Sequence, residues 1–508
     1  MILTEVDFMV EKSIEEINRR IKEDNVNVVT AEEMAGIVGE LGAKEAAKEV
    51  DVVTTGTFGA MCSSGVWLNF GHSEPPMKMN KVFLNGVEAY SGVAAVDAFI
   101  GAGQLSETEG FDYGGAHVIE DLIRGKSIDL HATSYGTDCY PRKTLDTTLN
   151  IYDLNQAIMI NPRNGYQKYN VATNGINRTI YTYMGSLLPN YGNVTYSGAG
   201  VLSPLSNDPD YQTIGVGTPI FLGGAKGHII GEGTQHSPET NFGTLMLRGD
   251  LKDMSADYIR AANFHEYGTS LYVGMGIPIP ILNEQLAQST AVTDKDVVTN
   301  VLDYGVPSRD RPVIRKVNYE ELRSGSIEIN GKDTPTSSMS SFKKSREIAE
   351  ELKKWVAAGD FFVNTPSQRL PAKATCKPMR QTTRNPLVQD IMAKDVVVID
   401  ENATFHEAAK MIMENTFSHL PVVSEDGKLV GIVTAWDISK AVAETGCNYV
   451  KDIMTKKVLT SNATDPIDIA ARNLDMKEVS AMPVIDKDRY VIGIITSNDI
   501  SKLFARRR

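Results

Sequence analysis

Two of the chain's four cysteines stand among residues that could put a thiol to work. Cys62 lies in the run Thr54-Thr55-Gly56-Thr57-Phe58-Gly59-Ala60-Met61-Cys62-Ser63-Ser64-Gly65, after the apolar Val50 to Val53. Cys139 lies in His131-Ala132-Thr133-Ser134-Tyr135-Gly136-Thr137-Asp138-Cys139-Tyr140-Pro141-Arg142-Lys143. A structural cysteine usually has apolar neighbours. Glycines, hydroxyls and charges around these two instead predict loops that expose a thiol to backbone amides. Arg142 and Lys143 favour the thiolate of Cys139, and Asp138 opposes it. The thiolate is the nucleophile, so this balance decides reactivity. An inert surface thiol is the competing reading, and on the residues alone the two stand level. Cys376 falls in a proline-rich stretch and Cys447 between two repeats, and both read as incidental.

The chain shows no metal or cluster motif. Its cysteines form no Cys-x-x-Cys, so it is not expected to hold its own iron–sulfur cluster. His72, His117, His131, His228, His236 and His265 are scattered without zinc-ligand spacing, and each reads as a hydrogen-bonded structural histidine. Two glycine-rich runs, Gly215 to His228 and Gly231 to His236, match neither a P-loop nor a dinucleotide fingerprint. They predict either an anion- or substrate-binding loop or tight turns between short strands.

The elements that must position these residues are legible in outline. A chain of 508 residues is too long for one core, and about two to four domains are expected. Apolar content of 42% with 23% charged residues predicts a soluble globular protein. A net charge of −13 and a pI near 5.2 argue against general affinity for nucleic acid. No signal peptide follows Met1, no apolar run nears the roughly 20 residues that span a bilayer, and the cysteines make no disulfide framework. The expected location is the cytoplasm. A charged helix over about 5–23 and a second helix opened by a Thr30–Glu33 capping box precede many short, glycine-dense strands. The fold class expected is mixed α/β, with the topology of a large domain over 1–365 left open. Pro366, Pro371, Pro378 and Pro386, with basic residues between them, mark a linker over 366–385.

Beyond the linker the sequence repeats itself 62 positions on. Asp390-Ile391-Met392 returns as Asp452-Ile453-Met454, Gly431-Ile432-Val433-Thr434 as Gly493-Ile494-Ile495-Thr496, and Asp437-Ile438-Ser439-Lys440 as Asp499-Ile500-Ser501-Lys502. The two copies span 386–446 and 447–508. In the first, Phe405, Ala408, Ala409, Ile412 and Met413 keep helical spacing after Thr404 as N-cap. Apolar runs flank Glu425-Asp426-Gly427 as a hairpin, and a second helix opens near Asp437. Each unit therefore predicts β-α-β-β-α, too small for a good core alone, so the two should pack sheet against sheet. The motif Gly-apolar-apolar-Thr-x-x-Asp, complete in both, resembles that of a CBS-domain pair. The resemblance implies that Thr434, Asp437, Thr496 and Asp499 contact the ribose and polar tail of an adenosyl ligand: S-adenosylmethionine, methylthioadenosine or another adenosyl nucleotide. A helix start can hold such oxygens, yet Thr and Asp are also ordinary capping residues. Trp436 would stack on a base or cover the interface between the repeats.

The passages around Cys62 and Cys139, the stretch Asn69-Phe70-Gly71-His72 and the loop from Gly215 to His236 resemble the homocysteine-biosynthesis family of methanogens and some anaerobic bacteria. A C-terminal CBS pair is a known arrangement there. The resemblance implies an L-aspartate semialdehyde sulfurtransferase that carries sulfur as a cysteine persulfide and works with a ferredoxin-like iron–sulfur partner. It matches Cys139 to the persulfide carrier and Cys62 to a second thiol. Attack of that persulfide on the aldehyde, loss of water and reductive cleavage would release homocysteine. Sulfide or another donor would supply the sulfur, and a partner or a transient disulfide with Cys62 the electrons. Arg142 is a candidate for the substrate carboxylate and Asp138 for its ammonium. No tightly bound cofactor is expected in the large domain; the CBS pair would give feedback through a population shift, in a homodimer. Two other classes stay open. One is an oxidoreductase resembling IMP dehydrogenase with Cys62 catalytic, although that family sets its CBS pair within a barrel of alternating strands and helices. The other is a non-enzymatic adenylate sensor.

Overall fold

The computed structural model describes residues 11–379, 386–415, 417–443 and 448–505. Cys447 and Arg506 to Arg508 lie outside the described residues, as does the start of the helix expected over 5–23. The chain divides into two compact units, residues 1–304 with 312–377, and residues 305–311 with 378–508.

Local signals set the first helices of the larger unit. The Ser13 side chain accepts the Glu16 amide at 3.1 Å, so helix α1 starts at Ile14 and runs to Lys22, later than the sequence suggested. Helix α2, Ala31–Leu41, opens on the expected capping box. Thr30 Oγ1 accepts the Glu33 amide at 3.3 Å, and the Glu33 carboxylate accepts the Thr30 amide at 2.7 Å.

The centre of this unit is a nine-stranded sheet. Its members are β1 (Thr57–Ala60), β2 (Gly65–Asn69), β3 (Asp97–Gly101), then, after β4 (Ile128–Thr133) and β5 (Thr144–Leu149) of another sheet, β6 (Gln156–Asn164). It continues with β7 (Pro219–Leu222), β8 (Ala225–Glu232), β9 (Leu245–Asp250), β10 (Ile259–Phe264) and β11 (Gly268–Gly276). The spatial order is β10-β11-β7-β8-β9-β6-β2-β3, with β1 also paired to β11. Every pairing in it is antiparallel. These strands therefore do not build the parallel barrel that the IMP dehydrogenase alternative requires. Burial alternates along the strands, with Val66 and Leu68 of β2 and Ala157 and Met159 of β6 in the core. Helix α3, Phe342–Ala357, lays Ile348, Leu352 and Val356 into a second core cluster with Phe58 and Phe221. Its approach needs glycine: a Cβ on Gly56 would stand 2.2 Å from the Ser345 carbonyl oxygen. That close contact fixes the strand that leads to Cys62.

β4 and β5 form an antiparallel hairpin in a six-stranded sheet, and its long connection carries Cys139. The first glycine-rich run becomes the β7–β8 hairpin, as the turn reading expected. Among the described residues, no helix is long and apolar enough to cross a membrane.

In the smaller unit each repeat takes the expected form. The first has α4 (Phe405–Asn415), β12 (His419–Val423), β13 (Leu429–Thr434) and α5 (Ala435–Ala443). Ile399–Asp400 pairs parallel to β12 as its opening strand. The second has α6 (Ile467–Met476), β14 (Ala481–Ile485), β15 (Val491–Thr496) and α7 (Ser497–Ala505). Its opening strand shrinks to one parallel bridge, Ser461 to Val484. The repeats interlock. Ala393 and Ile494 exchange backbone hydrogen bonds of 2.9 and 3.0 Å, and 62 positions on Thr455 and Ile432 do the same. The repeated Met and Gly explain each other: a Cβ on Gly431 would stand 2.3 Å from Met454 Sδ, and one on Gly493 2.4 Å from Met392 Sδ.

Candidate functional site

Cys62 occupies the tight turn between β1 and β2, held by the Met61 amide on the Leu271 carbonyl at 2.8 Å and the Ser64 amide on the Met61 carbonyl at 3.0 Å. Its Sγ lies 3.1 Å from Ser270 Oγ of β11. The neighbouring Ser63 hydroxyl donates to the Arg163 carbonyl at 3.4 Å. Arg163 comes from the end of β6, where the register against β9 shifts between Asn161 and Asn164. Such bulges re-aim side chains. Here the guanidinium turns into a cavity of about 280 Å³ that it shares with Cys62, Ser63 and Gln235. Arg163 Nη1 donates to Gln235 Oε1, whereas its Nε is buried without a hydrogen-bond partner. Gln235 holds its position from a left-handed backbone, φ +61°.

Aromatic walls close the rest of the cavity: Tyr166, Tyr169, Tyr183 and Tyr267. Burial pushes the phenols of Tyr166 and Tyr267 up to about 12 and that of Tyr169 well above its ordinary value. All three therefore stay neutral near pH 7. Burial also pushes the Cys62 thiol up, while the Ser270 hydrogen bond and the Arg163 charge pull it down. Arg163 is thus the charged side chain of a pocket that otherwise offers hydroxyls, an amide and a thiol.

Cys139 has the opposite setting. It is exposed on the β4–β5 connection, which is closed by the Thr137 and Tyr140 backbones exchanging two 3.0 Å hydrogen bonds. Tyr140 stacks on His72 at 5.9 Å. Arg142 donates to the carbonyls of Pro75, at 3.2 Å, and Glu74, so the guanidinium ties the loop to residues 74–75. Asp138 is exposed. The contacts at residues 72–75 come after the last residue of β2, whereas Cys62 precedes its first. Cys139 does not line the cavity that holds Cys62. Cys62, Cys139 and Cys376 are all free thiols. His236 is buried with its ring nitrogens at Thr244 and Pro371, a structural histidine as read from the sequence.

The repeats hold a larger cleft of about 840 Å³. Thr434 and Trp436 line it from the first repeat, and Thr455, Lys457, Lys477 and Ser480 from the second. Trp436 is 77% exposed. His419 bridges the repeats, with Nδ1 2.9 Å from Ser418 Oγ and Nε2 2.9 Å from Ser480 Oγ. Of the four expected ligand residues, Thr434 reaches this cleft. Asp437 caps α5, its Oδ2 accepting from the Thr434 amide and hydroxyl at 2.8 and 2.7 Å. Thr496 and Asp499 repeat that cap at α7, at 3.0 and 2.6 Å. Sequence reasoning passed over Arg163 and the tyrosines. Pro162 beside Arg163, inside an apolar strand, was the local hint of a bulge.

Comparison with known proteins agrees with these two units. The family described as "Homocysteine biosynthesis enzyme, sulfur-incorporation" matches residues 26–363, and the CBS domain matches 388–444 and 450–506. A protein of Methanosarcina acetivorans named L-aspartate semialdehyde sulfurtransferase is 66% identical over 98% of this chain and 100% of its own. One of the same name from Methanocaldococcus jannaschii is 52% identical over the same shares. A solved CBS-domain pair in complex with 5′-methylthioadenosine and S-adenosyl-L-methionine is 41% identical over 25% of this chain and 100% of its own, with a TM-score of 0.24.

Proposed function

The chain belongs to the sulfur-incorporating homocysteine biosynthesis enzyme family, and from that premise we propose that it is an L-aspartate semialdehyde sulfurtransferase that forms L-homocysteine. The observation that carries the reading is end-to-end identity with two proteins of that activity. Sulfur is carried as a persulfide on Cys139. Its exposure at a hairpin tip suits a thiol that must meet a donor of sulfane sulfur, a polysulfide or a protein persulfide, which transfers its outer sulfur and leaves as the thiol. Cys62 is the second thiol, partly buried in its cavity.

The balance of the reaction defines what a partner must bring. The outer sulfur adds to the aldehyde carbon, the S–S bond breaks, water leaves, and the products are a thiol and the regenerated cysteine. Two electrons reduce the carbon and two more the sulfane sulfur, with as many protons. A ferredoxin-like iron–sulfur protein is the class of donor that fits. We place the reaction in the cytoplasm and in a homodimer. The repeats take an adenosyl ligand, S-adenosylmethionine or methylthioadenosine, which regulates the enzyme. Support for this comes from a cleft that offers an exposed indole for stacking, Thr434 for a hydroxyl, and two lysines for an anionic end.

The test is homocysteine formation from L-aspartate semialdehyde, a sulfur donor and a low-potential reductant, with mass spectrometry of the protein after loading. One added sulfur on Cys139 is expected. Wild-type turnover by Cys139→Ser would sink the assignment.

A further inference from the structure

A guanidinium N–H buried without an acceptor is expensive unless something else answers it. Arg163 is in that position. Its only hydrogen-bond partner among the described side chains is the neutral Gln235, its Nε–H points at no acceptor, and no carboxylate lines the cavity with it. The shortage extends along the bulge. Asn161 and Asn164 are fully buried, and each leaves its Nδ2 without an acceptor, so three donors within four residues lack partners. The surroundings do not relieve it, since Tyr166, Tyr169 and Tyr267 keep their protons and add no negative charge.

The same residues are held in place from three sides. The bulge turns Arg163 inward, Ser63 ties its carbonyl to the cysteine turn, and Gln235 fixes one arm of the fork from a backbone conformation that non-glycine residues rarely adopt. A planar fork with Nη1 fixed by Gln235 and Nη2 neither bonded to a described residue nor buried is suited to a carboxylate. We infer that the Cys62 cavity is the acceptor site of the enzyme, and that Arg163, positioned by Gln235, binds the α-carboxylate of the amino-acid semialdehyde there. This rests on the sulfurtransferase reading for the identity of the acceptor. A carboxylate on Arg163 leaves the rest of a four-carbon chain inside the pocket with Cys62. The tyrosine faces and hydroxyls can receive the ammonium group. The hairpin that carries Cys139 then has to deliver its sulfur to this pocket, so acceptor binding and sulfur loading are separable events.

That separation supplies the test. The full-length protein is treated with N-ethylmaleimide, and labelling of Cys62 and Cys139 is followed by peptide mass spectrometry. The probes are L-aspartate semialdehyde, L-homoserine, and butanal as an aldehyde without a carboxylate. The first two are expected to slow labelling of Cys62 and leave Cys139 unaffected; butanal is expected to protect neither. Arg163→Met should abolish the protection and raise KM for the semialdehyde by roughly 30- to 100-fold, with a smaller change in kcat. Gln235→Ala keeps the charge and should raise KM by about tenfold, and Arg163→Lys should retain part of the protection. If Arg163→Met does not fold, these two variants decide, and unchanged KM in both overturns the inference. Full protection in Arg163→Met, or equal protection by butanal, also overturns it. The two readings fail separately: homoserine protection through Arg163 without homocysteine formation removes the activity and leaves the carboxylate site, and turnover without protection does the reverse.

Discussion

The two loop cysteines are alike in sequence and opposite in place. Both have glycine and hydroxyl neighbours, yet Cys62 is walled by tyrosines and hydrogen-bonded to Ser270, and Cys139 stands in solvent at a hairpin tip. The difference shows what each thiol can be asked to do. An exposed thiol can meet a macromolecular donor but cannot shelter an intermediate from water. A thiol in a closed pocket can shelter one, but its thiolate is harder to form. Loading and sheltering are requirements of the proposed reaction, and on that reading they fall to thiols on different loops, the β4–β5 connection and the β1–β2 turn.

The contrast can be broken most sharply at Cys139. Cys139→Ser should lower homocysteine formation by at least ~10³-fold, measured with saturating semialdehyde, while the semialdehyde still protects Cys62. Cys62→Ser should cost less, roughly tenfold in turnover, with the persulfide on Cys139 still seen by mass spectrometry. Equal losses in both variants would erase the division of labour.

The pH dependence sharpens it further. Burial raises the Cys62 thiol above its ordinary value, so at a given pH less of it is thiolate. Labelling of Cys62 should therefore keep rising with pH beyond the ordinary cysteine range. Ser270→Ala removes a hydrogen bond that favours the thiolate, so it should move that profile to still higher pH. A profile that moves down instead would mean that Ser270 holds the thiol form. The smallest effect is expected at the repeats. Trp436→Ala should weaken binding of an adenosyl ligand by about tenfold in calorimetry, and neither cysteine variant should change it.

What the sequence disclosed was what is decided within a few residues. The Thr30–Glu33 box, the hairpin around Gly427 and the helix starting after Thr404 are short-range arrangements, and all are present. The caps at Asp437 and Asp499 were readable for the same reason, although a cap and a ligand contact look identical in one dimension. The cavity was hidden because its members are far apart in the chain. Ser63 meets Arg163 across 100 positions, and Arg163 meets Gln235 across 72. Proximity in sequence also misdirects: Arg142, three residues from Cys139, spends its guanidinium on the Glu74 and Pro75 carbonyls. The flagged run Gly231 to His236 did contain a cavity residue, Gln235, chosen by the backbone conformation that such a loop permits.

The crossed Met–Gly contacts between the repeats bear on how the protein is made. As a nascent chain leaves the ribosome, β13 emerges before Thr455 and Met454, which give it its outer hydrogen bonds and fill the space over Gly431. Until then it is an unpaired strand edge, the kind of surface that joins the wrong neighbour. The first repeat therefore completes its sheet edge only once residues 454–455 are in place. A chain that stops between them leaves that edge without its partner.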